Sequence, residues 1–239
     1  MALAGVVFVA LLFLRAPYGR HAGRAPGPTL PARWGWVLME LPSPVAMAVT
    51  FATGRHGGSA VGWALLLPWL AHYAHRTLVQ PFRWRGTPTP VPALIVGSGA
   101  FFNVINGYTN GRWSFHLGPE RGASWLADPR FLVGMLLFIV GEGVNLHADE
   151  VLRGLRAPGE TGYKIPQGGL YRWVSCPNYL GETVAWWGYA LAAWSLPALA
   201  FAAWTTANLV PRALAHHRWY RARFPEYPAE RRAIAPGLL

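Results

Sequence analysis

The sequence has little cysteine, almost no lysine and few charged residues. Its single cysteine, Cys176, excludes an internal disulfide. Charged residues make up 13% of the 239 residues, and only 10 residues are acidic. This is well below the share of charged residues in a typical soluble domain. The sequence also lacks internal repeats and low-complexity segments, so we expect one continuous domain over residues 1–239.

Apolar residues recur along the whole chain instead. They make up 53% of the sequence and include 13 tryptophans, a composition typical of a polytopic membrane protein. We predict an all-α integral membrane protein with seven transmembrane helices, one of which is shorter than the usual span of about 20 residues. The predicted spans are 1–14, 34–53, 58–75, 89–108, 131–148, 179–194 and 195–212.

The short first span, 1–14, resembles neither a full span nor a signal peptide. It lacks a charged leading region and a small-residue cleavage site, so we expect a truncated or tilted helix. In the second span, Pro42 and Pro44 predict a kink or break in the helix.

The distribution of basic residues predicts the orientation in the membrane. Of the 21 lysines and arginines, 17 fall in the loops after spans 1, 3 and 5 or in the tail from Arg212. The positive-inside rule therefore places the N-terminus outside and the C-terminus in the cytoplasm. Membrane topology and anionic ligands account for the net charge of +11, so we predict no nucleic-acid partner. Because 20 of these 21 residues are arginine, we expect a GC-rich and bacterial genome. The expected location is then the bacterial inner membrane. In a eukaryote it would be the endoplasmic reticulum membrane.

Polar residues recur at helical spacing near the predicted cytoplasmic ends of three spans. Residues spaced by three or four positions share one helix face, so each set predicts a polar stripe. Lipid contact would explain a basic stripe as well, but three stripes on one side favour an anionic ligand. The stripes are Asn145, Asp149, Arg153 and Arg156, then Asn178 and Glu182, then Arg212, His216 and Tyr220.

Two further polar residues lie inside or at the end of apolar spans. Glu40 lies a few residues inside the second span, where an ionisable group is costly and marks a candidate functional site. An interfacial glutamate that reaches water is the alternative. Tyr73 ends the third span and is either catalytic or an aromatic-belt residue. His72 and His75 have the spacing of a metal pair, but no further ligand lies at a suitable spacing, so we predict no metal.

Several motifs then resemble one family, the steroid 5α-reductases. These are YKIPQGGLYRWVSCPNYLGE, WWGYALAAWSLPALAF and PRALAHHRWYRARFPEYP in the C-terminal part, with LMELPSP and HYAHRT before them. They occur in order and cover nearly the whole chain from about residue 17. The resemblance implies a seven-helix membrane enzyme that reduces the C4–C5 double bond of a 3-oxo-Δ4 steroid with NADPH. It implies that 1–108 mainly contacts substrate and 109–239 mainly binds the cofactor.

The resemblance also implies roles for individual residues. Glu40 and Tyr73 match the pair that holds the substrate carbonyl, Trp36 lines the steroid cavity, and Met39 replaces a common glutamine. Lys164 and Thr87 each replace an arginine. The residues that match cofactor-binding positions are Asn145, Asp149, Arg153, Arg156, Tyr163, Lys164, Asn178, Glu182, Arg212, His216 and Tyr220.

The resemblance also predicts what the protein binds, and three other functions remain as alternatives. The substrate is expected to be a small apolar enone that arrives from lipid, and membrane lipids are the other expected partners. Oligomeric state is left open, with a monomer compatible with the sequence. The alternatives are an isoprenylcysteine-type methyltransferase, a sterol C14 reductase-like enzyme, and a sterol- or lipid-binding protein without catalysis. The ligand that stabilises the protein, NADPH, S-adenosylmethionine or neither, would separate reductase, methyltransferase and non-catalytic binder.

Overall fold

The computed structural model describes residues 5, 6, 8, 9, 11, 27–85, 88–155, 157, 160 and 162–238. Most of the described chain is helical. The helices are α1 (Ala32–Glu40), α2 (Pro42–Thr53), α3 (Ala60–Ala74), α4 (Gln80–Arg83), α5 (Ala93–Arg112), α6 (Pro129–Gly154), α7 (Pro177–Ala193) and α8 (Leu196–Arg223). π-Helical turns follow α3 at His75–Val79 and α5 at Trp113–Leu117, and 3₁₀ turns lie at Ala123–Ala127 and Gly169–Arg172.

Six of the predicted spans coincide with described helices, and the predicted first span lies largely outside the described residues. The helix is interrupted at Leu41, between α1 and α2, as Pro42 and Pro44 predict. Within the described residues, Ala32–Thr53 and Pro129–Gly154 are long and apolar enough to cross a membrane. The number of seven spans and the orientation stay predictions.

Helix ends follow from local chemistry. Asp128 precedes α6 and accepts a hydrogen bond from the Arg130 backbone N–H at 2.8 Å, while Pro129 starts the helix without needing a donor. The Arg130 side chain also donates to Asp128 and holds the pKa of that carboxyl down at about 2. Between α7 and α8, Trp194 adopts a left-handed conformation, φ 42°, and Ser195 caps the next helix.

Two short pairings bring loops together at one end of the helices. Strand β1 (Thr29–Leu30) pairs antiparallel with β2 (Val91–Pro92), so the chain before α1 lies beside the chain after α4. Val174 pairs in parallel with Arg232, which joins the α6–α7 connection to the C-terminal segment. The described parts of these segments carry the basic residues Arg85, Lys164, Arg172, Arg231 and Arg232, which the sequence predicts to lie on one side.

Helices α6 and α7 approach each other through glycines. A Cβ atom added at Gly141 would lie 2.4 Å from the Ala185 nitrogen, and one at Gly181 would lie 2.5 Å from the Asn145 nitrogen. A Cβ added at Gly134 or at Gly188 would likewise lie 2.5 Å from a backbone nitrogen of the opposite helix. This close approach sets the distance between the polar faces that carry Asn145 and Glu182.

An aromatic core closes the space between α3, α7 and α8. Trp69 is fully buried, and its ring centroid lies 5.0 Å from that of Trp186 and 5.3 Å from that of Tyr189. Phe201 completes the cluster at 4.5 Å from Trp186. The tight aromatic packing gives a rigid floor to the polar site described next.

Candidate functional site

Most of the predicted site residues surround one cavity of about 340 Å³, the inner cavity. Of the helices α1 to α8, all except α2 contribute to its wall, as does the π-helical turn after α3. The lining residues are Trp36, Met39, Glu40, His72, Tyr73, Arg76, Gln80, Gly99, Phe102, Asn103, Asn145, Asp149, Asn178, Tyr179, Glu182, Trp186, Phe201, Trp204, Thr205, Asn208, Leu209 and Arg212. This lining combines aromatic side chains with carboxylates, amides and two arginines.

A second cavity of about 340 Å³, the outer cavity, lies at the basic end of the helices. It is lined by His75, Gln80, Arg83, Trp84, Arg85, Pro88, Leu146, Asp149, Glu150, Leu152, Arg153, Leu155, Tyr163, Lys164 and Tyr220. Four of these side chains are permanently cationic and four are aromatic or imidazole rings. This combination suits the phosphates and rings of a nucleotide.

Gln80 and Asp149 belong to both cavities and form the boundary between them. The Gln80 Nε2 donates to Asp149 Oδ2 at 2.5 Å, and Asn178 Nδ2 donates to Asp149 Oδ1 at 3.1 Å. Asn145 in turn donates to the Asn178 backbone carbonyl at 2.9 Å. The Gln80 Oε1 is buried without a hydrogen-bond partner among the described residues, so it is an acceptor available to a ligand.

Arg76 connects two carboxylates from different helices. Its Nη2 donates to Glu40 Oε1 and its Nη1 donates to Glu182 Oε2, each at 3.2 Å. All three side chains are at least 84% buried, because their exposed fractions are 16%, 10% and 15%. The guanidinium also lies over the Trp36 ring, 5.2 Å from its centroid. A π-helical turn holds Arg76, and such turns are frequent at functional sites.

The Tyr73 hydroxyl points into the same cavity. It donates to Asn103 Oδ1 at 3.2 Å and accepts from Asn106 Nδ2 at 3.4 Å. Asn103 is anchored by its own donation to the Met39 backbone carbonyl at 2.8 Å. The asparagines that the sequence left as either cavity residues or interhelical contacts therefore make interhelical bonds, and Asn103 also lines the cavity.

His72 and Glu142 form a buried pair beside Tyr73. The His72 Nδ1 lies 2.7 Å from Glu142 Oε1, and the imidazole packs at 4.7 Å from the Trp186 ring. This pairing commits His72 to a carboxylate. The described residues contain no group of three or more histidines, cysteines or acids arranged to hold a metal ion.

The structure brings most of the predicted residues to the two cavities. Of the predicted cofactor residues, Asn145, Asn178, Glu182 and Arg212 line the inner cavity, Arg153, Tyr163, Lys164 and Tyr220 line the outer one, and Asp149 lines both. His216 lines neither, and its Nε2 instead lies 3.2 Å from the hydroxyl of the lining residue Tyr179. Arg156 and Thr87 lie outside the described residues.

Sequence reasoning left Arg76, Gln80 and Tyr179 out of the predicted site. Tyr73, Arg76 and Gln80 follow the i, i+3, i+7 spacing of one helix face, which could have identified the first two of these missed residues. Tyr179, Glu182 and Trp186 have the same i, i+3, i+7 spacing, so periodicity could also have identified Tyr179.

Comparison with known proteins assigns the family. Residues 89–239 match the sequence model of the family described as 3-oxo-5-alpha-steroid 4-dehydrogenase. Over 100% of this chain and 93% of the relative, the sequence is 42% identical to 3-oxo-5-alpha-steroid 4-dehydrogenase 1 of Bos taurus. It is 44% identical to the same-named protein of Homo sapiens over 92% of this chain and 85% of that relative.

A plant relative is similar over a comparable length. The steroid 5-alpha-reductase DET2 of Gossypium hirsutum is 41% identical over 97% of this chain and 91% of its own length. Animal and plant relatives thus match nearly the whole chain, including both walls of the inner cavity. On these matches the chain belongs to the 3-oxo-5-alpha-steroid 4-dehydrogenase family of oxidoreductases, the steroid 5α-reductases.

Proposed function

We propose that this protein reduces the C4–C5 double bond of 3-oxo-Δ4 steroids with NADPH. The observation that carries the proposal is the inner cavity, in which Tyr73 and Glu40 line an aromatic chamber next to the polar faces of α6 and α7. The family membership supports the reaction class. The cofactor and the residue roles rest on the chemistry of the two cavities.

The described residues fit a dinucleotide at the boundary of the two cavities. The cationic wall of the outer cavity suits its phosphates, and the buried Gln80 Oε1 offers an acceptor at the passage inward. Arg83, Arg85, Arg153 and Lys164 would hold the phosphate end, while Asn178 and Glu182 would face the nicotinamide end. NADPH, when bound, supplies a hydride for the β-carbon of the enone.

Tyr73 and Glu40 stabilise the charge that this reduction creates on the substrate oxygen. As the β-carbon gains its electron pair, the C4–C5 π electrons move toward the carbonyl and an enolate oxygen develops. The Tyr73 hydroxyl can turn from Asn103 to donate to that oxygen. Glu40 donates as well in its protonated form, and protonation of the resulting enolate at the α-carbon completes the reaction.

Arg76 orients Glu40 in the inner cavity. Glu40 and Glu182 contact one guanidinium, so two carboxyl groups share a single positive charge. Arg76 contacts Glu40 Oε1, which leaves Glu40 Oε2 for the substrate carbonyl.

The first test removes the Tyr73 hydroxyl alone. Tyr73→Phe should keep the fold and NADPH binding but lower kcat with progesterone by about a hundredfold, the effect of losing one oxyanion donor. Tyr189→Phe is the matched control, because it also deletes a buried hydroxyl but that group donates to the Leu65 carbonyl outside both cavities.

Glu40→Gln should keep more activity than Glu40→Ala, because the N–H of an amide can donate a hydrogen bond to the substrate oxygen without first taking up a proton. Wild-type turnover in both Tyr73→Phe and Glu40→Ala would show that the carbonyl is held elsewhere.

The second test concerns the cofactor. NADPH should stabilise the purified protein against heat, S-adenosylmethionine should not, and NADH should bind more weakly because it lacks the 2′-phosphate that meets the basic wall. Arg153→Gln should raise the KM for NADPH, whereas Arg55→Gln, which removes an exposed arginine bonded to the His116 carbonyl, should not. Stabilisation by S-adenosylmethionine alone would favour the methyltransferase alternative, and equal affinity for NADPH and NADH would refute the phosphate argument.

A further inference from the structure

A separate cavity of about 460 Å³ lies on the outer side of α6, away from both catalytic cavities, and we call it the α6 groove. Its floor is Val140, Gly143 and Val144, and the eight residues from Val140 to His147 extend about 10 Å along the helix. Its remaining wall comes from the 3₁₀ turn Gly169–Arg172 and the start of α7. None of its lining residues lines the inner or the outer cavity.

The floor of this groove opens toward the apolar phase. Helix α6 is one of the two described stretches that can cross a membrane. Its outer face exposes Leu132, Leu136 and Ile139, whose exposed fractions are 54%, 61% and 64%. Apolar side chains this exposed on a membrane-crossing helix are covered by lipid. Gly143 deepens the groove at this point, because a Cβ added there would meet nothing within 4 Å.

The mouth of the groove carries uncommitted cationic and imidazole groups. Arg172 and His147 are both exposed, and within the described part of the chain neither makes a hydrogen bond or salt bridge. Gly169 has φ +49°, and a Cβ there would lie 2.6 Å from His147 Nε2, so the turn approaches His147 as closely as only glycine allows. Trp173, 53% exposed, has the exposure of an interfacial tryptophan.

We propose that the α6 groove binds one phospholipid with an anionic headgroup. The acyl chain lies along Val140, Gly143 and Val144, and the phosphate meets Arg172 and His147. A free phosphate would leave the apolar floor uncovered, and an uncharged sterol would leave Arg172 without an anion at the membrane surface. Basic pockets beside transmembrane helices are recognised sites for anionic headgroups. The bound lipid joins the Gly169–Arg172 turn to α6.

The test uses the full-length protein in nanodiscs that contain phosphatidylcholine and phosphatidylglycerol, followed by native mass spectrometry of the retained lipid. Wild type should retain phosphatidylglycerol in preference to phosphatidylcholine. Arg172→Gln should reduce this preference about fivefold, the equivalent of ~1 kcal/mol for one arginine at an anionic surface. Gly143→Leu should abolish retention of either lipid by filling the groove.

The matched control is Gly97→Leu. Gly97 is also an exposed helical glycine, and a Cβ added there would meet nothing within 4 Å, but it lies on α5 away from the groove. This variant should retain phosphatidylglycerol like wild type. Equal retention of the two lipids by wild type, or unchanged retention in Gly143→Leu, would overturn the proposal. Progesterone reduction by the same samples reports that each variant is folded and is independent of the lipid result.

Discussion

At the scale of single residues, the position of Arg76 between Glu40 and Glu182 decides the electrostatics of the inner cavity. The sequence shows that Tyr73 and Arg76 share a helix face, but it cannot show which carboxylates that face meets. Both carboxylates belong to other helices, and their pairing depends on the crossing of α1, α3 and α7. Gln80 lies on the same helix face, but the sequence could not show that it meets Asp149 of α6, its hydrogen-bond partner at 2.5 Å.

Arg76→Met should destabilise the protein strongly. It leaves two buried carboxylates without their shared cation, and removal of one partner from a buried ion pair costs about 3–5 kcal/mol. Arg76→Lys keeps the charge but loses the fork that reaches both acids, so it should fold with a reduced kcat. The measurements are thermal unfolding in detergent and steroid reduction.

Arg83→Met is the matched control for this experiment. Arg83 pairs with Glu150 at 2.9 Å, but the two side chains are 48% and 47% exposed, so the loss should be below about 1 kcal/mol. Equal destabilisation by Arg76→Met and Arg83→Met would contradict the bridging role of Arg76.

At the scale of elements, the helices themselves could be predicted and their contacts could not. Apolar runs and the polar spacing of Asn145, Asp149 and Arg153 identified α6 and its functional face, since periodicity is a property of one helix. The glycines that join α6 to α7 carry no such signal, because a glycine that meets a backbone looks the same in sequence as one that faces lipid. Gly141 and Gly143 lie on one helix, and only the first is in contact.

This contrast gives a prediction about the α6–α7 contact. Gly141→Val must push the helices apart, because even a Cβ would lie 2.4 Å from the Ala185 nitrogen, and overpacking of this kind costs about 1–3 kcal/mol. The same displacement separates Asn145 from Asn178, so NADPH affinity should fall with thermal stability. Gly97→Val, at an exposed glycine on α5 where an added Cβ would also meet nothing within 4 Å, should change neither quantity. An unaltered NADPH KM in Gly141→Val would show that the contact does not set the cofactor site.

At the scale of the whole molecule, the C-terminal segment departs from what its composition suggests. The sequence indicates a basic cytoplasmic tail, but Arg231 is only 2% exposed and donates to the Pro166 carbonyl at 3.0 Å and to Gln167 at 2.8 Å. Ser175, His217 and Tyr227 join the same region through contacts of 2.6–2.7 Å. A count of charges cannot distinguish a solvated tail from a segment that folds back, because the difference depends on backbone pairing such as Val174 with Arg232.

The orientation of the molecule in the membrane can be tested with single cysteines, because Cys176 is buried, 4% exposed, and should react little. The exposed positions Thr89 and Glu226 lie at the basic end, and exposed Glu120 lies at the opposite end beside the start of α6. The predicted spans place 17 of the 21 cationic residues of the sequence on the first side, so that side should face the cytoplasm. Thr89→Cys and Glu226→Cys should therefore react with an impermeant maleimide only after the cells are opened. Glu120→Cys should react in intact cells, which also shows that the reagent reaches the protein.

Labelling of Thr89→Cys in intact cells together with protection of Glu120→Cys would show that the orientation is the reverse. It would then place the outer cavity, and with it the expected NADPH site, on the side of the membrane where no cytoplasmic cofactor is supplied.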